Sequence, residues 1–376
     1  MKHTLLYLVL LPLMFVSTVE AQVYSNKDVS KAESAKNDSL QKKNVYPYIL
    51  PIWGQKATDR GFKLPYSAGL GINYLYQKSD LIINNLNIGF NNNSMFNMDG
   101  IVKFNNATAT SMGINIRPDV WVLPFLNVYG ILAKSQSSTA VGVDIVVPDG
   151  SGNGTGQTTI MSMDTKANFK GSTMGFGMTP TMGVGGFWLA LDMNCTWTDI
   201  DALNKPAFIY VFGPRMGKSF KLKKEDQTLT FWAGGFRVKM NSGTQGSLPI
   251  GDLINTDGIQ GKIDNAYLRL EQAQSDLDSW WNGLSPTQQK IFQDTYDRGN
   301  AAISKATGVV NGLDNAVNKA DNSTVQYSLD KKPKDMWNFV IGSQFQVNRH
   351  LMFRAEYGFL SSRQQFIGMI QYRFGL

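Results

Sequence analysis

The C-terminal part of the chain alternates apolar and polar residues with a period of two, and this pattern constrains the fold more than any other feature. In residues 365–376 the apolar positions hold Phe, Ile, Tyr and Leu, and Arg373 belongs to the opposite set. Residues 350–362 repeat the alternation, with Glu356 among the polar positions. Successive side chains of a strand point to opposite faces, so each segment predicts a β-strand with one apolar and one polar face.

The same pattern predicts ten long strands, or twelve if the longest early stretches are each divided in two. The ten span residues 66–86, 100–118, 121–146, 157–181, 184–199, 204–219, 226–240, 322–347, 350–362 and 365–376. We interpret Gly234–Gly235 as a bulge where the alternation changes phase. Tight turns are expected at residues 347–350 and 361–364. Apolar faces toward lipid and polar faces toward a lumen predict an all-β, antiparallel, up-and-down transmembrane β-barrel over residues 66–376.

The composition supports a chain that crosses a membrane as strands. After residue 21 there is no run of about 18 apolar residues, which a membrane-spanning helix would need. The chain contains 36 Gly and 11% aromatic residues, and only 17% of it is charged. A transmembrane strand needs apolar residues only at alternate positions, so this composition suits a barrel. A secreted soluble β protein, with one face of each strand packed on a second sheet, is the alternative.

The N-terminal residues 1–21 have the features of a secretory signal peptide. Lys2 supplies a basic start, residues 5–16 are mostly apolar, and small residues predict cleavage after Ala21. Residues 22–45 are polar and predict a flexible leader. Residues 46–65 begin with Tyr-Pro-Tyr-Ile-Leu-Pro, whose prolines exclude a helix interior. This segment is either a plug for the periplasmic mouth of the barrel or an ordered lead-in.

The longest connection between predicted strands spans residues 241–321 and is helical. Apolar residues at positions 263–284 recur at spacings of three and four, which predicts an amphipathic helix. Residues 285–288 (Ser-Pro-Thr-Gln) supply the N-cap, the first-turn proline and the capping-box glutamine of a second helix that runs to about Val310. Together the two segments predict a helical hairpin.

The predicted hairpin faces the outside of the cell. An even number of strands places both termini in the periplasm, so residues 241–321 and a flexible Gly-rich loop at 149–156 are extracellular. Two interpretations of the hairpin remain open. Its apolar stripes bury each other and the barrel rim, or it forms a contact surface with Trp280 and Trp281 as the candidate contact residues, because aromatic side chains dominate interface energetics.

Polar residues on the lumen-facing positions of the predicted strands are candidates for lining the barrel interior. They are Asn73, Asn115, Arg117, Asp192, Asn194, Arg215, Arg237, Lys239, Arg354, Glu356 and Arg373. Side chains can largely fill an interior of ten strands, or the basic residues can line a narrow conduit that favours anions. Unpaired buried charges are costly, so Asp192 and Glu356 are each expected to meet an Arg or a Lys.

The inventory of reactive residues argues against an enzyme. After residue 21 the only histidine is His350, which is expected to be solvated on a periplasmic turn without a partner for acid–base chemistry. The single cysteine, Cys195, is on the lipid-facing parity. Neither metal-ligand spacing nor a phosphate-binding loop is present, so no metal and no cofactor are expected. The net charge of +7 suits an anionic lipid surface and, in an exported chain, does not indicate nucleic acid.

Several segments resemble known outer-membrane proteins. Residues 371–376 (Gln-Tyr-Arg-Phe-Gly-Leu) resemble the terminal-strand signal read by the barrel assembly machinery, although that signal usually ends on Phe or Trp. Residues 114–130, with 50–54 and 64–71 before them, resemble segments that recur in a family of uncharacterised Gram-negative outer-membrane β-barrel proteins. The resemblance implies the fold and the outer membrane from about residue 46 onward, and it carries over no functional residue.

These observations predict an integral outer-membrane barrel with a structural or surface-binding role through its extracellular helices. The alternatives are a narrow channel or transporter for small anionic solutes and the secreted soluble β protein. The expected partners are outer-membrane lipid and lipopolysaccharide, the barrel assembly machinery during biogenesis, and a surface ligand that the sequence does not identify.

Overall fold

The computed structural model of the 376-residue chain describes residues 45–200, 205–240, 243–253, 258–319, 323–360 and 362–376. The predicted signal peptide (1–21) and residues 22–44 of the predicted leader lie outside the described residues.

Strands dominate the part of the chain that the structure describes. In chain order they are β1 (Ala68–Phe90), β2 (Phe96–Asn97), β3 (Val102–Leu123), β4 (Leu126–Pro148), β5 (Gln157–Val184), β6 (Phe187–Ile200), β7 (Ala207–Lys221), β8 (Thr228–Met240), β9 (Gly243–Pro249), β10 (Thr324–Pro333), β11 (Trp337–Gln346), β12 (Leu351–Leu360) and β13 (Arg363–Phe374). The helices are α1 (Gly54–Asp59), α2 (Ser151–Gly154), α3 (Ile250–Leu253), α4 (Ile259–Asn282) and α5 (Pro286–Val317). None of these helices combines the length and the apolar character that a membrane crossing requires.

Ten of the strands, all except β2, β9 and β10, form one closed antiparallel barrel. Strands that follow one another along the chain are hydrogen-bonded, and β8 pairs with β11 across the long insertion. β13 closes the barrel against β1, from Ala68 opposite Phe374 to Ser79 opposite Arg363. The predicted fold class and the count of ten barrel strands are therefore confirmed.

The two faces of the barrel differ in polarity as the alternation predicts. The outside carries exposed apolar side chains, including Ile72, Ile114 and Phe353, whereas buried polar residues such as Asn73 and Glu356 face the interior. A closed barrel pairs its backbone groups without a free edge, and an apolar outer belt is stable only in lipid, so this barrel spans a membrane. The alternative of a soluble protein with a second sheet on the apolar face is wrong.

Four barrel strands continue well beyond the membrane-spanning part. β1, β3, β4 and β5 are 22 to 28 residues long, whereas a tilted transmembrane strand needs about 9–11. β13 covers β1 only as far as Ser79, and above it residues 81–90 pair with β10 instead. β9 pairs with β10 on the far side. The extension of β1 thus forms a second, smaller sheet with β2, β9 and β10, whereas the extensions of β3, β4 and β5 continue the barrel sheet.

We call residues 243–253, 258–319 and 323–333 the cap. Its helices α4 and α5 form the predicted hairpin, and α5 begins with the predicted capping box, in which Ser285 and Gln288 exchange side-chain and backbone hydrogen bonds. The buried residues of the hairpin pack with Ile145 of β4 and Met161 of β5 in one hydrophobic core. The cap is therefore a folded unit built on the strand extensions.

The cap lies on the continuation of the inner barrel face. Along β5 alternate residues are buried or half-buried without a break from Thr181, inside the barrel, to Met161, beneath the helices. In β4 the same parity runs from Tyr129 to Ile145. One set of alternate positions thus supplies a polar interior in the membrane and an apolar core outside it.

Two predicted boundaries are corrected by the pairing pattern. The predicted strand at residues 322–347 is two strands, because β10 turns into the cap sheet while β11 joins the barrel. The predicted turn at residues 361–364 is shorter, since Arg363 already begins β13 and is only 2% exposed. The first difference comes from a pairing partner far away in the sequence, which local alternation does not specify. In the second, Arg363 pairs with Leu360 across the turn and with Ser79 of β1.

Candidate functional site

An ion-pair cluster crosses the middle of the barrel interior. Arg215 of β7 binds Glu356 of β12 through two hydrogen bonds, Nε to Oε2 and Nη2 to Oε1, both 2.9 Å long. Its third nitrogen, Nη1, lies 3.2 Å from Oδ2 of Asp192 on β6. Both carboxylates therefore meet an arginine, as the sequence predicts, and one guanidinium joins three strands across the lumen.

Neutral side chains donate further hydrogen bonds to the carboxylate oxygens of this cluster. The Tyr129 hydroxyl donates to Asp192 Oδ1 at 2.6 Å, and Thr179 Oγ1 donates to the same atom at 2.8 Å. Trp232 Nε1 donates to Glu356 Oε2 at 3.0 Å. Charged groups removed from water are tolerated when their hydrogen bonds are complete, so these donors stabilise the buried ion pairs.

Two further arginines lie against aromatic rings. The guanidinium carbon of Arg117 is 3.7 Å from the centre of the Tyr129 ring, and that of Arg354 is 4.6 Å from the Trp232 ring. Among the described residues neither arginine has a carboxylate within ion-pair distance. The rings that donate to the central carboxylates thus also hold the unpaired cations in place.

A second polar cluster lies nearer the short-turn end of the barrel, where short turns join β3 to β4, β5 to β6 and β11 to β12. Arg373 Nη1 is 3.0 Å from Asp119 Oδ1, and both side chains are almost fully buried. Asn127 donates to Asp119 Oδ1 at 2.8 Å, and Gln371 donates to Oδ2 of the same carboxylate. The sequence prediction misses Asp119 because one predicted strand ends at residue 118 and the next begins at residue 121, which leaves it in the connection. Its place in an alternating strand is the signal that identifies it.

Side chains fill most of the barrel interior. A cavity inside the barrel has a volume of about 80 Å³. A single water needs roughly 10–15 Å³ on this measure, so the space holds several waters or one small ion. Pockets for drug-sized ligands are several times larger, on the order of 300–1,000 Å³. The geometry agrees with the filled interior better than with an open conduit.

Nine of the eleven predicted lumen residues face the interior. Asn73 and Asn115 contact each other there at 3.3 Å, and Asn194 lies beside Tyr129. The other interior residues are Arg117, Asp192, Arg215, Arg354, Glu356 and Arg373.

Arg237 and Lys239 do not line the lumen, so this prediction is wrong. Both are exposed on the outer side, while Phe236 on the alternate parity is buried. The pairing of β8 with β7 and with β11 runs in constant register through Gly234–Gly235, so the expected bulge is absent there. Without it the alternation keeps its phase and these two residues point outward.

Arg363 is an interior residue that the sequence interpretation missed. Its guanidinium lies 5.8 Å from the Phe236 ring centre, and its Nε donates to Ser79 Oγ at 3.4 Å. Nearby, Ser362 donates to Asp335 at 2.5 Å. This group lies at the barrel end beneath the cap, where β1 and β13 separate.

The two cap tryptophans pack within the protein. Trp280 contacts Phe292 of α5, and its side chain covers Gly150 and Gly154 of the β4–β5 connection. Trp281 stacks on Tyr296 with ring centres 4.5 Å apart. Both are half-buried, so the interpretation in which the hairpin buries its own apolar residues describes them well. The predicted flexible loop at 149–156 contains α2 and is packed against Trp280.

The cap surface also contains a tyrosine–carboxylate contact. The Tyr267 hydroxyl donates to Asn311 at 2.8 Å and lies 3.5 Å from Asp314. Desolvation, with the nearby carboxylate of Asp314, raises the pKa of Tyr267 above its ordinary value. This contact ties α4 to α5 on the outer side of the hairpin.

Residues 45–67 lie against the short-turn end of the barrel. The backbone N–H of Ile49 donates to the carbonyl of Leu376 at 2.8 Å, and that of Ile52 donates to Val122 at 2.8 Å. Pro65 borders the interior cavity. The segment is therefore hydrogen-bonded to the barrel rim and closes part of its mouth.

The remaining reactive side chains have structural contacts. His350 is not simply solvated, because its ring lies between Tyr66 and Tyr372, and its Nδ1 is 2.8 Å from the Arg373 carbonyl. Cys195 lies on the outward parity of β6. Within the described ranges no group of three or more His, Cys, Asp and Glu side chains could hold a metal ion.

No protein-family model and no curated protein matches the chain. Among solved structures, the transport unit of the autotransporter AIDA-I from Escherichia coli is similar, with 11% identity, a TM-score of 0.30, and 91% of this chain and 97% of that chain covered. The NalP translocator domain from Neisseria meningitidis has 7% identity, a TM-score of 0.31, and coverage of 91% and 94%. A FadL homologue from Pseudomonas aeruginosa has 7% identity, a TM-score of 0.24, and coverage of 82% and 90%. At these values no function is transferred to this chain.

Proposed function

We propose that the chain is an outer-membrane anchor with a filled interior, and that it displays the cap outside the cell as a rigid binding surface. One contrast carries the proposal. Ion pairs cross the membrane-spanning interior beside a cavity of about 80 Å³, whereas the cap has its own hydrophobic core. A barrel built in this way supports a surface domain better than it supports transport.

The lengths of the connections support an extracellular position for the cap. At one end of the barrel, short turns join β3 to β4, β5 to β6 and β11 to β12, and the terminal residue Leu376 lies there too. At the other end lie the strand extensions and the cap. Bacterial outer-membrane barrels have short periplasmic turns and long extracellular loops, so this asymmetry supports the orientation and the Gram-negative outer membrane.

The outer side of the cap is the proposed contact surface. Trp280 and Trp281 already pack inside the hairpin, so they contribute rigidity more than free contact area. Leu268 of α4 and Ile291 of α5 are instead exposed by 63% and 69%. Preorganised surfaces bind with a smaller entropic cost, which favours a packed hairpin in this role.

A narrow conduit for small anions is the second candidate function. Four arginines line the interior cavity, namely Arg117, Arg215, Arg354 and Arg373. This basic lining favours anions, but ion pairs occupy the path between the two ends. The proposed role is non-enzymatic in either case, because His350 is packed between tyrosines and Cys195 faces outward.

The experiment compares three forms of the full-length protein on whole cells. The first is the native chain, the second replaces residues 259–317 by a short Gly-Ser linker, and the third changes Leu268 and Ile291 to Ser. Unheated gel mobility verifies that each barrel assembles. Arrays of labelled envelope glycans and purified surface proteins then report binding. We expect binding that the second form loses and the third weakens. Equal binding by the native and cap-deleted chains would exclude the cap as the functional part.

A further inference from the structure

The interior cavity near the short-turn end of the barrel has an unusual set of hydrogen-bond donors. Four of its lining residues have a buried side-chain nitrogen without a hydrogen-bond acceptor among the described residues. These atoms are Nε of Arg117, Nε of Arg354, Nη2 of Arg373 and Nε2 of Gln344. Buried donors in folded proteins are nearly always paired, so four around one small space require an explanation.

The charges around this cavity do not balance. Arg215 is paired with Asp192 and Glu356, and Arg373 is paired with Asp119. Arg117 and Arg354 have aromatic rings against their guanidinium groups and, among the described residues, no carboxylate within ion-pair distance. Four arginines thus share three carboxylates, which leaves one positive charge in excess. An anion in the cavity would neutralise it and accept hydrogen bonds from the free donors.

The burial of the donors separates this cavity from an ordinary wet surface. Gln344 is 3% exposed and Arg373 is 5% exposed, and both side chains line the space. The guanidinium groups of Arg117 and Arg354 lie against the rings of Tyr129 and Trp232. These rings are in turn positioned by their hydrogen bonds to Asp192 and Glu356. The donors therefore keep their positions without a ligand, which is the condition for preorganised binding.

We propose that this cavity is a binding site for one small inorganic oxyanion of the phosphate or sulfate type. The volume of about 80 Å³ accommodates such an ion with a few waters and excludes larger solutes. Guanidinium groups match oxyanions because their N–H donors are planar and permanently charged. A second cavity, which shares Pro65 and Arg373 with the first, leads toward the short-turn end and gives the ion a route from the periplasmic side. The site is independent of the function proposed for the cap.

The test is isothermal titration calorimetry of the folded full-length protein in detergent. Sodium sulfate and sodium phosphate are titrated at constant ionic strength, with sodium chloride as the reference salt. The expected result is saturable binding of one sulfate or phosphate per chain. In the double variant R117Q/R354Q the affinity is expected to fall by about tenfold or more, which corresponds to roughly 1.4 kcal/mol. The control R237Q removes an exposed arginine outside the lumen and should bind like the native chain.

A neutral variant keeps the test decisive if the double variant does not assemble. Gln344→Leu removes one buried donor without changing charge, and it is expected to weaken sulfate binding several-fold. A crystal soaked in selenate should show anomalous density between Arg117 and Arg354. The proposal is overturned if the native protein shows no saturable sulfate or phosphate binding, or if the cavity in the soaked crystal contains only water.

Discussion

Arg215 and Glu356 lie on strands from different halves of the chain and form a two-hydrogen-bond ion pair across the barrel interior, with both bonds 2.9 Å long. The same arginine contacts Asp192. Arg215 therefore links β6, β7 and β12 at one point. Its removal is expected to destabilise the barrel more than the removal of an exposed ion pair would.

The substitution Arg215→Met is expected to destabilise the barrel by about 3–5 kcal/mol, because it leaves two buried carboxylates without their cation. Unfolding in urea, followed by tryptophan fluorescence in lipid vesicles, measures the change. The matched control is Arg349→Met, which breaks an ion pair with Asp226 whose side chains are 53% and 30% exposed. Exposed pairs contribute about 0–1 kcal/mol. Similar losses in the two variants would contradict the stabilising role of the interior cluster.

The same glycine-to-alanine change is expected to have opposite effects at two positions of the cap. A Cβ at Gly312 would lie 2.5 Å from the buried Phe90 ring, and a Cβ at Gly261 would meet nothing within 4 Å. Gly312→Ala should therefore destabilise the cap by about 1–3 kcal/mol through overpacking. Gly261→Ala should stabilise α4 by up to about 1 kcal/mol through helix propensity. Amide hydrogen exchange in α4 and α5 measures both, and faster exchange in both variants would refute the packing argument.

Trp280→Ala is expected to loosen the tip of the helical hairpin without affecting the barrel. The indole packs on Phe292 and covers Gly150 and Gly154 of the β4–β5 connection. Its loss therefore removes the contact that joins the hairpin to this connection. Hydrogen exchange should become faster at residues 149–156 and at the α4–α5 junction, and remain unchanged in β11–β13. Leu268→Ala, at a residue that is 63% exposed, is the control and should change neither region.

The start of α5 offers a prediction that depends on one hydroxyl group. Ser285 caps the helix, with Gln288 completing the reciprocal bonds. Ser285→Ala should cost about 1 kcal/mol of cap stability. Ser304→Ala, at an exposed site within the same helix, should be neutral or slightly stabilising because alanine has the higher helix propensity. An equal effect at both positions, measured by exchange at the N-terminal turn of α5, would show that the cap does not depend on this contact.

The sequence predicts the barrel strands well because each strand has one lipid-facing and one interior face, and this difference imposes a period of two on the residues themselves. The capping box of α5 is equally local and was found for that reason. The sequence prediction places Arg237 and Lys239 on the wrong face because Gly234 and Gly235 have no side chain whose polarity shows which face of the strand they occupy. The position of β10 was missed because the choice of a pairing partner depends on residues more than 200 positions away.

The candidate site was predicted in part. Asp192, Arg215 and Glu356 were placed in the interior, and the requirement for charge pairing was derived correctly. The pairing of both carboxylates with one arginine was not, since it depends on the order and stagger of strands around the barrel. Tyr129 and Trp232 are missing from the prediction, because only amide and charged residues were considered as lining the interior.

The central claim is that the barrel is closed by its own interior side chains and serves as an anchor. Planar-bilayer recording of the purified full-length protein tests this claim most directly. No steady conductance above the bare-membrane baseline is expected, for the native chain or for the form that lacks residues 259–317, because the ion pairs rather than the cap fill the interior. A steady ohmic current through either form would contradict the account.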